Sequence, residues 1–328
     1  MKNSISRISL FFFIFIYSYF SLRIFLFPHL YDSYGAYGIF ICLFIFLIIM
    51  LVFLIIPKRL FNIFNSFEKS KIKKIIKPLL ISKILLSIMI SSYALKLLYF
   101  NDISLFIIAI GMIIPIVIIS RGKPSDIISI STIFGIVSLI SYIFYFYDFI
   151  DLDYSLMFNM KNFNLLTHFY IFFFILDFSF LLLSDSKASF NKRTIIIGLL
   201  ISFLLFSFEY LILTLTSGDT LFLNNSLSGF MALFIQPVSR YSGTFEYVSI
   251  IGITISVIFK NAFFLSLVGN KNKIDMIIYF LLFIVLLYFL YKVLNSILDI
   301  KYIIFIVTGF LSVLIIWLIK EAFYAKLD

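Results

Sequence analysis

Charged side chains inside long apolar runs are the residues of this chain best suited to chemistry. Arg23, Glu209 and Glu246 lie in the outer thirds of such runs, and Asp177 and Lys260 lie deeper. A charge at the centre of a lipid bilayer costs about 2.5–3.5 kcal/mol on insertion scales, so each group is expected to face neighbouring helices and to have a partner. Structural ion pairs and a path for a small charged ligand both remain open.

Catalysis and metal binding find little support in the sequence. His29 and His168 are isolated from other metal ligands. Asp148, Asp151 and Asp153 resemble a metal–diphosphate motif, but the motif has no second copy and is more simply an acidic loop. The glycine-rich phosphate loop, the dinucleotide fingerprint and the G-x-S-x-G nucleophile motif do not occur. We therefore expect no enzyme, no metal and no cofactor.

The elements that must position these charges are apolar helices. Hydrophobic residues make up 63% of the 328 residues and charged residues 13%, whereas a soluble domain has about 45–50% and 25%. This composition predicts an all-α polytopic membrane protein. Cys42 is the one cysteine, which excludes a disulfide within the chain. The net charge of +10 is explained by basic loops, and we expect no nucleic-acid partner.

About ten apolar runs are long enough to cross the hydrocarbon core of a bilayer. Their connecting loops alternate between basic and acidic, and the basic loop 58–77 is the strongest of the basic ones. Because basic loops stay in the cytoplasm, the pattern predicts that both termini are cytoplasmic. The predicted spans are 8–27, 37–56, 79–99, 103–119, 127–146, 165–184, 194–216, 245–268, 276–291 and 302–319.

The predicted spans divide into two equal sets within a single membrane domain, 1–328. The first half is 1–158 and the second is 159–328. An odd number of spans in each half gives the second half the opposite orientation, which is typical of inverted-repeat carriers. We therefore expect a 5+5 inverted repeat.

One connecting segment, 223–243, does not read as a simple polar loop between two spans. Its apolar run 229–236 is far shorter than the ~20 residues that a membrane span needs. Pro237 ends that run, because proline lacks a backbone N–H and disfavours helix in the residue before it. Arg240 follows before the next span begins. We interpret 223–243 as a re-entrant segment with a gating role.

Three stretches resemble the spore germination permeases, the B subunits of nutrient germinant receptors in the amino acid–polyamine–organocation superfamily. The first is Ile5-Ser-Arg7 with a span ending at Pro28. The second is the short loop 32–37 with a span ending in Ile-Pro-Lys-Arg at 56–59. The third is the re-entrant segment followed by a span, which together contain Arg240, Phe245-Glu246 and Lys260.

The resemblance implies a subunit that senses a small germinant, an amino acid, between spans one, three, six and eight. It implies A-type and C-type receptor subunits as partners and the inner membrane of a spore as the location. Ser18 and Ser21 lie where such carriers open their first helix. The candidate ligand-binding residues are Ser18, Ser21, Arg23, Asp177, Glu246 and Lys260, and the candidate structural or gating residues are Pro237, Arg240 and Glu209.

Two other functions fit the same sequence. One is a cation-coupled amino-acid transporter with the same architecture. The other is an envelope polysaccharide polymerase or flippase, although such proteins need basic groups in a sizeable outer loop, and the longest outer loops here are acidic or nearly uncharged.

Overall fold

The computed structural model describes residues 6–22, 30, 34–55, 100, 102–145, 192–217, 242–268 and 284–285, together with scattered positions between 81 and 96. In this part of the chain 93% of the residues are helical and no strand occurs, which confirms the all-α class. The helices are α1 (Arg7–Ser21), α2 (Gly38–Ile55), α3 (Leu105–Ser120), α4 (Pro124–Tyr145), α5 (Lys192–Ser217) and α6 (Ser242–Val268), with a 3₁₀ turn at Gly35–Tyr37 before α2.

Local sequence signals define the ends of several helices. Ser6 caps α1 by accepting a hydrogen bond from the Ser9 backbone N–H at 3.0 Å. Ser104 caps α3 in the same way, through the Ile107 N–H at 3.4 Å. Pro124 stands at the first position of α4, where its missing N–H costs nothing.

Helix α1 is the centre of the described part. It packs most extensively against α4 and α5, and also against α6, while α3 packs on α6 and α2 packs on α5. Glycines allow the closest approaches: a Cβ at Gly135 would lie 2.8 Å from Phe12 Cβ, and a Cβ at Gly198 would lie 3.0 Å from a methyl of Ile14. Helix α1 therefore contacts three other helices of the described part at once.

The relative directions of three helices follow from their contacts. Ile14 lies beside Gly198 and Ser18 beside Ser202, so α1 and α5 run parallel. Phe46 contacts Phe203 and Cys42 contacts Ser207, so α2 runs antiparallel to α5.

Several helices expose large apolar side chains, while some polar side chains are buried with the apolar core. Hydroxyl, amide and charged side chains on α1, α4, α5 and α6 are buried, among them Ser18, Ser131, Ser202, Glu209 and Asn261. Large apolar side chains recur at spacings of three, four or seven residues on the exposed faces of several helices. These exposed ridges are Phe40, Phe44, Leu47 and Leu51 on α2; Ile107, Ile114 and Ile118 on α3; and Ile197, Leu200, Leu204 and Phe208 on α5.

By length and composition, α5 contains one stretch able to cross a membrane, Arg193–Leu211. The other helices of the described part contain shorter apolar stretches, Arg7–Tyr19, Gly38–Leu51, Leu105–Ser120, Pro124–Val137 and Thr254–Ser266. Predicted spans six and ten lie outside the described residues, and spans three and nine are described only at scattered positions.

Candidate functional site

Three consecutive residues of α1 form the core of the candidate site. Tyr17, Ser18 and Tyr19 are all buried in the last two turns of the helix. Each residue of an α-helix turns the side chain by about 100°, so these three point in different directions. Tyr17 faces α6, and Ser18 and Tyr19 reach α5.

Ser18 joins α1 to α5 through a pair of hydroxyls. Its Oγ lies 2.6 Å from Ser202 Oγ and 2.6 Å from the Ile14 carbonyl oxygen. Ser202 donates in turn to the Gly198 carbonyl at 2.7 Å. Helix α1 is continuous from Arg7 through Ser21, so Ser18 sits in an intact helix. Its backbone is not opened toward a ligand, and its hydroxyl serves helix packing.

Tyr19 and Glu209 form a buried pair on one flank of α1. The Tyr19 hydroxyl donates to Glu209 Oε2 at 2.5 Å, and only 5% of Glu209 is exposed. The Tyr19 ring stacks on Phe15, with ring centroids 5.5 Å apart and planes 8° from parallel. A hydrogen bond from a phenol to a carboxylate is charge-assisted and therefore among the stronger ones.

Lys260 lies on the other flank of α1. Its Nζ stands 4.9 Å from the centroid of the Tyr17 ring, within the range of a cation–π interaction, and the side chain is 5% exposed. The next residue, Asn261, donates from Nδ2 to Ser87 Oγ at 3.2 Å. The Tyr17 ring also meets Phe264 edge-on at 5.8 Å. Two buried ionisable groups of opposite sign thus contact the same helix two residues apart.

The 3₁₀ turn Gly35–Tyr37 packs against the half of α5 that contains Glu209. Tyr210 donates its hydroxyl hydrogen bond to the Gly35 carbonyl. Gly35 has φ of 53°, a left-handed conformation that favours glycine. A Cβ at Gly38 would clash with the Tyr210 phenol, so this position also needs glycine. Just before the turn, partial burial raises the pKa of Tyr34, which stays a neutral phenol.

The structure therefore brings three of the predicted site residues, Ser18, Glu209 and Lys260, to the surface of α1. Ser21 lies in the last turn of α1 and Glu246 in the first turns of α6. The remaining predicted site residues, Arg23, Asp177, Pro237 and Arg240, lie outside the described residues.

Sequence reasoning missed Tyr17, Tyr19 and Ser202. A signal was present for Ser202, since Gly198, Ser202 and Glu209 follow one another by four and seven residues, which places them on one face of a helix. The tyrosines gave no such signal, because aromatic residues are abundant throughout the chain, with 20 Tyr and 45 Phe. Within the described residues, no group of three or more His, Cys, Asp or Glu side chains is arranged to hold a metal ion.

Comparison with protein-family models, with curated proteins and with solved structures finds no match to this chain.

Proposed function

We propose that this chain is an integral membrane protein that senses a small nutrient germinant through the two flanks of its first helix. The observation that carries the proposal is the placement of Glu209 and Lys260. Both are 5% exposed, and both contact α1 at tyrosines two residues apart. Ionisable groups buried among apolar helices are costly, and in membranes they mark ligand or ion sites by default.

The exposed apolar ridges support the membrane part of the proposal. Exposed ridges of isoleucine, leucine and phenylalanine on α2, α3 and α5 would be an aggregation hazard in water. In lipid they are the expected outer surface, while buried hydroxyls and small residues join the helices inside. We place about ten transmembrane helices in this architecture, in two inverted halves, 1–158 and 159–328, with the re-entrant segment 223–243 in the second.

The helix directions support the same topology. If both termini are cytoplasmic, predicted spans one and seven run outward and span two runs inward. The parallel packing of α1 with α5 and the antiparallel packing of α2 with α5 agree with these directions.

The role of a receptor subunit rests on the family resemblance together with the position of α1. A ligand shifts a protein between two packings only if it binds one of them more tightly. A ligand that contacts the Glu209 carboxylate and the Lys260 ammonium, on the two flanks of α1, would have such a difference in affinity if the two packings place these groups differently. The partners that this proposal implies are A-type and C-type receptor subunits in the spore inner membrane.

Binding and uptake measurements on the purified protein test the proposal. Reconstituted in proteoliposomes, the chain should gain thermal stability from at least one L-amino acid and should not accumulate that compound when it is radiolabelled. Lys260→Met should weaken the stabilisation. Gly111→Ala is the matched control, because a Cβ there meets nothing within 4 Å. Accumulation driven by a cation gradient would instead make the protein a transporter, and a lack of response to every amino acid would overturn the proposal.

A further inference from the structure

We propose that Glu209 binds the protonated amine of the ligand, and that the Tyr19 hydroxyl occupies the position of that amine in the unliganded protein. This inference rests on the proposed function and adds the chemical group that is recognised and the residue that recognises it. The ligand class is a small primary amine.

The geometry of the pair carries the proposal. The Tyr19 hydroxyl is a hydrogen-bond donor 2.5 Å from Glu209 Oε2. An ammonium group is also a donor, and it approaches a carboxylate oxygen to about 2.7–2.9 Å. The phenol and the ammonium therefore suit the same acceptor, and the ammonium adds a full positive charge. A ligand amine that takes this position displaces Tyr19 from Glu209.

The charge of Glu209 suits a cation as well. Phe15 stacks on Tyr19, and Phe206, one turn before Glu209 on the same side of α5, is fully buried. A carboxylate favours an amine over a neutral or anionic group, because it attracts a cation and repels an anion.

The position of the pair fits a ligand that arrives from outside. Glu209 lies about eight residues, roughly 12 Å along the axis, from the end of α5 at Ser217. Its neighbour Tyr210 is bonded to Gly35 in the turn before α2, which the proposed topology places on the outer side. Release of Tyr19 would loosen the end of α1 on one flank while Tyr17 still holds Lys260 on the other. Binding at Glu209 is thereby converted into a movement of α1.

The test measures ligand-induced thermal stabilisation of the full chain in lipid nanodiscs. The probes are the common L-amino acids, each paired with the carboxylic acid that lacks its amino group. The wild-type protein should respond to at least one amino acid and not to the matching acid. Glu209→Gln should lower the affinity for that amino acid about tenfold or more, since a charge-assisted bond is lost. Tyr19→Phe should raise it about tenfold, because the competing donor is gone while the ring remains.

The opposite signs of these two effects separate recognition from packing. If Tyr19 and Glu209 were only a structural pair, both variants would lower the stability of the protein. Its affinities for the amino acid and for the matching deaminated acid would stay unchanged, and the inference would be overturned. Equal binding of an amino acid and its deaminated acid by the wild type would also overturn it. Ser129→Ala removes an exposed hydroxyl on α4 and serves as the control. If Glu209→Gln does not reach the membrane, Tyr19→Phe decides alone. A wild type that responds to no amino acid would reject the proposed function itself.

Discussion

Replacing Gly135 by alanine should push α1 slightly away from α4 and destabilise their contact. The added Cβ would lie 2.8 Å from Phe12 Cβ and 2.9 Å from Phe12 Cδ1, closer than carbon atoms approach in real proteins. Rotation of the Phe12 ring cannot relieve the contact, since Phe12 Cβ is attached directly to the backbone of α1. The two helices must therefore move apart by several tenths of an ångström along one of the most extensive contacts of α1.

The magnitude follows from a comparison of three glycines in helices. Overpacking costs about 1–3 kcal/mol, and a helical glycine changed to alanine gains roughly 1 kcal/mol of helix propensity. Gly111→Ala receives only the gain, because nothing lies within 4 Å of its Cβ. Gly198→Ala meets an Ile14 methyl at 3.0 Å and should fall between the two. Since the propensity gain is common to all three, Gly135→Ala should be about 1–3 kcal/mol less stable than Gly111→Ala.

The assay is a titration of purified protein in mixed micelles with sodium dodecyl sulfate, with helix content followed by circular dichroism. The expected order of midpoints is Gly111→Ala highest, Gly198→Ala intermediate and Gly135→Ala lowest. The same variants should show the same order in the yield of folded protein from membranes. Equal midpoints for Gly135→Ala and Gly111→Ala would refute the close packing of α1 on α4.

Three further predictions concern topology, gating and charge pairing. A cysteine at Ser66 should be shielded from an impermeant thiol reagent in right-side-out vesicles while one at Ser226 reacts, and the reverse pattern would reject the orientation set by the basic loops. Pro237→Ala should leave membrane insertion intact and impair the ligand response, because a helix predicted over the apolar run 229–236 could then extend toward Arg240; a normal response in correctly inserted protein would exclude a gating role. Asp177 and Lys260 should form a buried ion pair, so Asp177→Asn and Lys260→Met should each cost about 3–5 kcal/mol while the double variant costs less than their sum. Additive losses in a double-mutant cycle on folded yield would disprove that pair.

The helices themselves were readable from the sequence. Apolar runs of sufficient length predicted helices over 37–56, 103–119 and 194–216, and the structure has Gly38–Ile55, Leu105–Ser120 and Lys192–Ser217. The differences are at most two residues at each end there, and they arise because polar residues next to an apolar run continue or cap the helix without changing its hydrophobicity. The positions of such helices follow from the length of the apolar run, so they can be predicted without knowing which other helices pack against them.

The partners of the buried charges were not readable in the same way. Reasoning from electrostatic cost predicted that Glu209 and Lys260 have partners but gave no reason to choose a tyrosine, and the structure places the hydroxyl of Tyr19 on Glu209 and the ring of Tyr17 beside Lys260. A tyrosine is apolar enough to be hidden in a hydrophobic run, and its hydroxyl becomes informative only when the packing of the helices is known. Tyr19 and Glu209 are 190 residues apart in sequence, and no local pattern connects them.

The placement of Glu209 and Lys260 on the two flanks of α1 couples both ionisable groups to the packing of that helix. Burying an ionisable group among apolar helices is costly, and apolar residues of similar volume would avoid that cost. The chain has such residues in abundance, yet Glu209 and Lys260 occupy buried positions within α5 and α6. Each is contacted by a tyrosine that also belongs to the buried aromatic packing around α1, through Phe15 for Tyr19 and Phe264 for Tyr17. We therefore expect a change in charge at either group to disturb the packing of α1, which lies against α4, α5 and α6 at once.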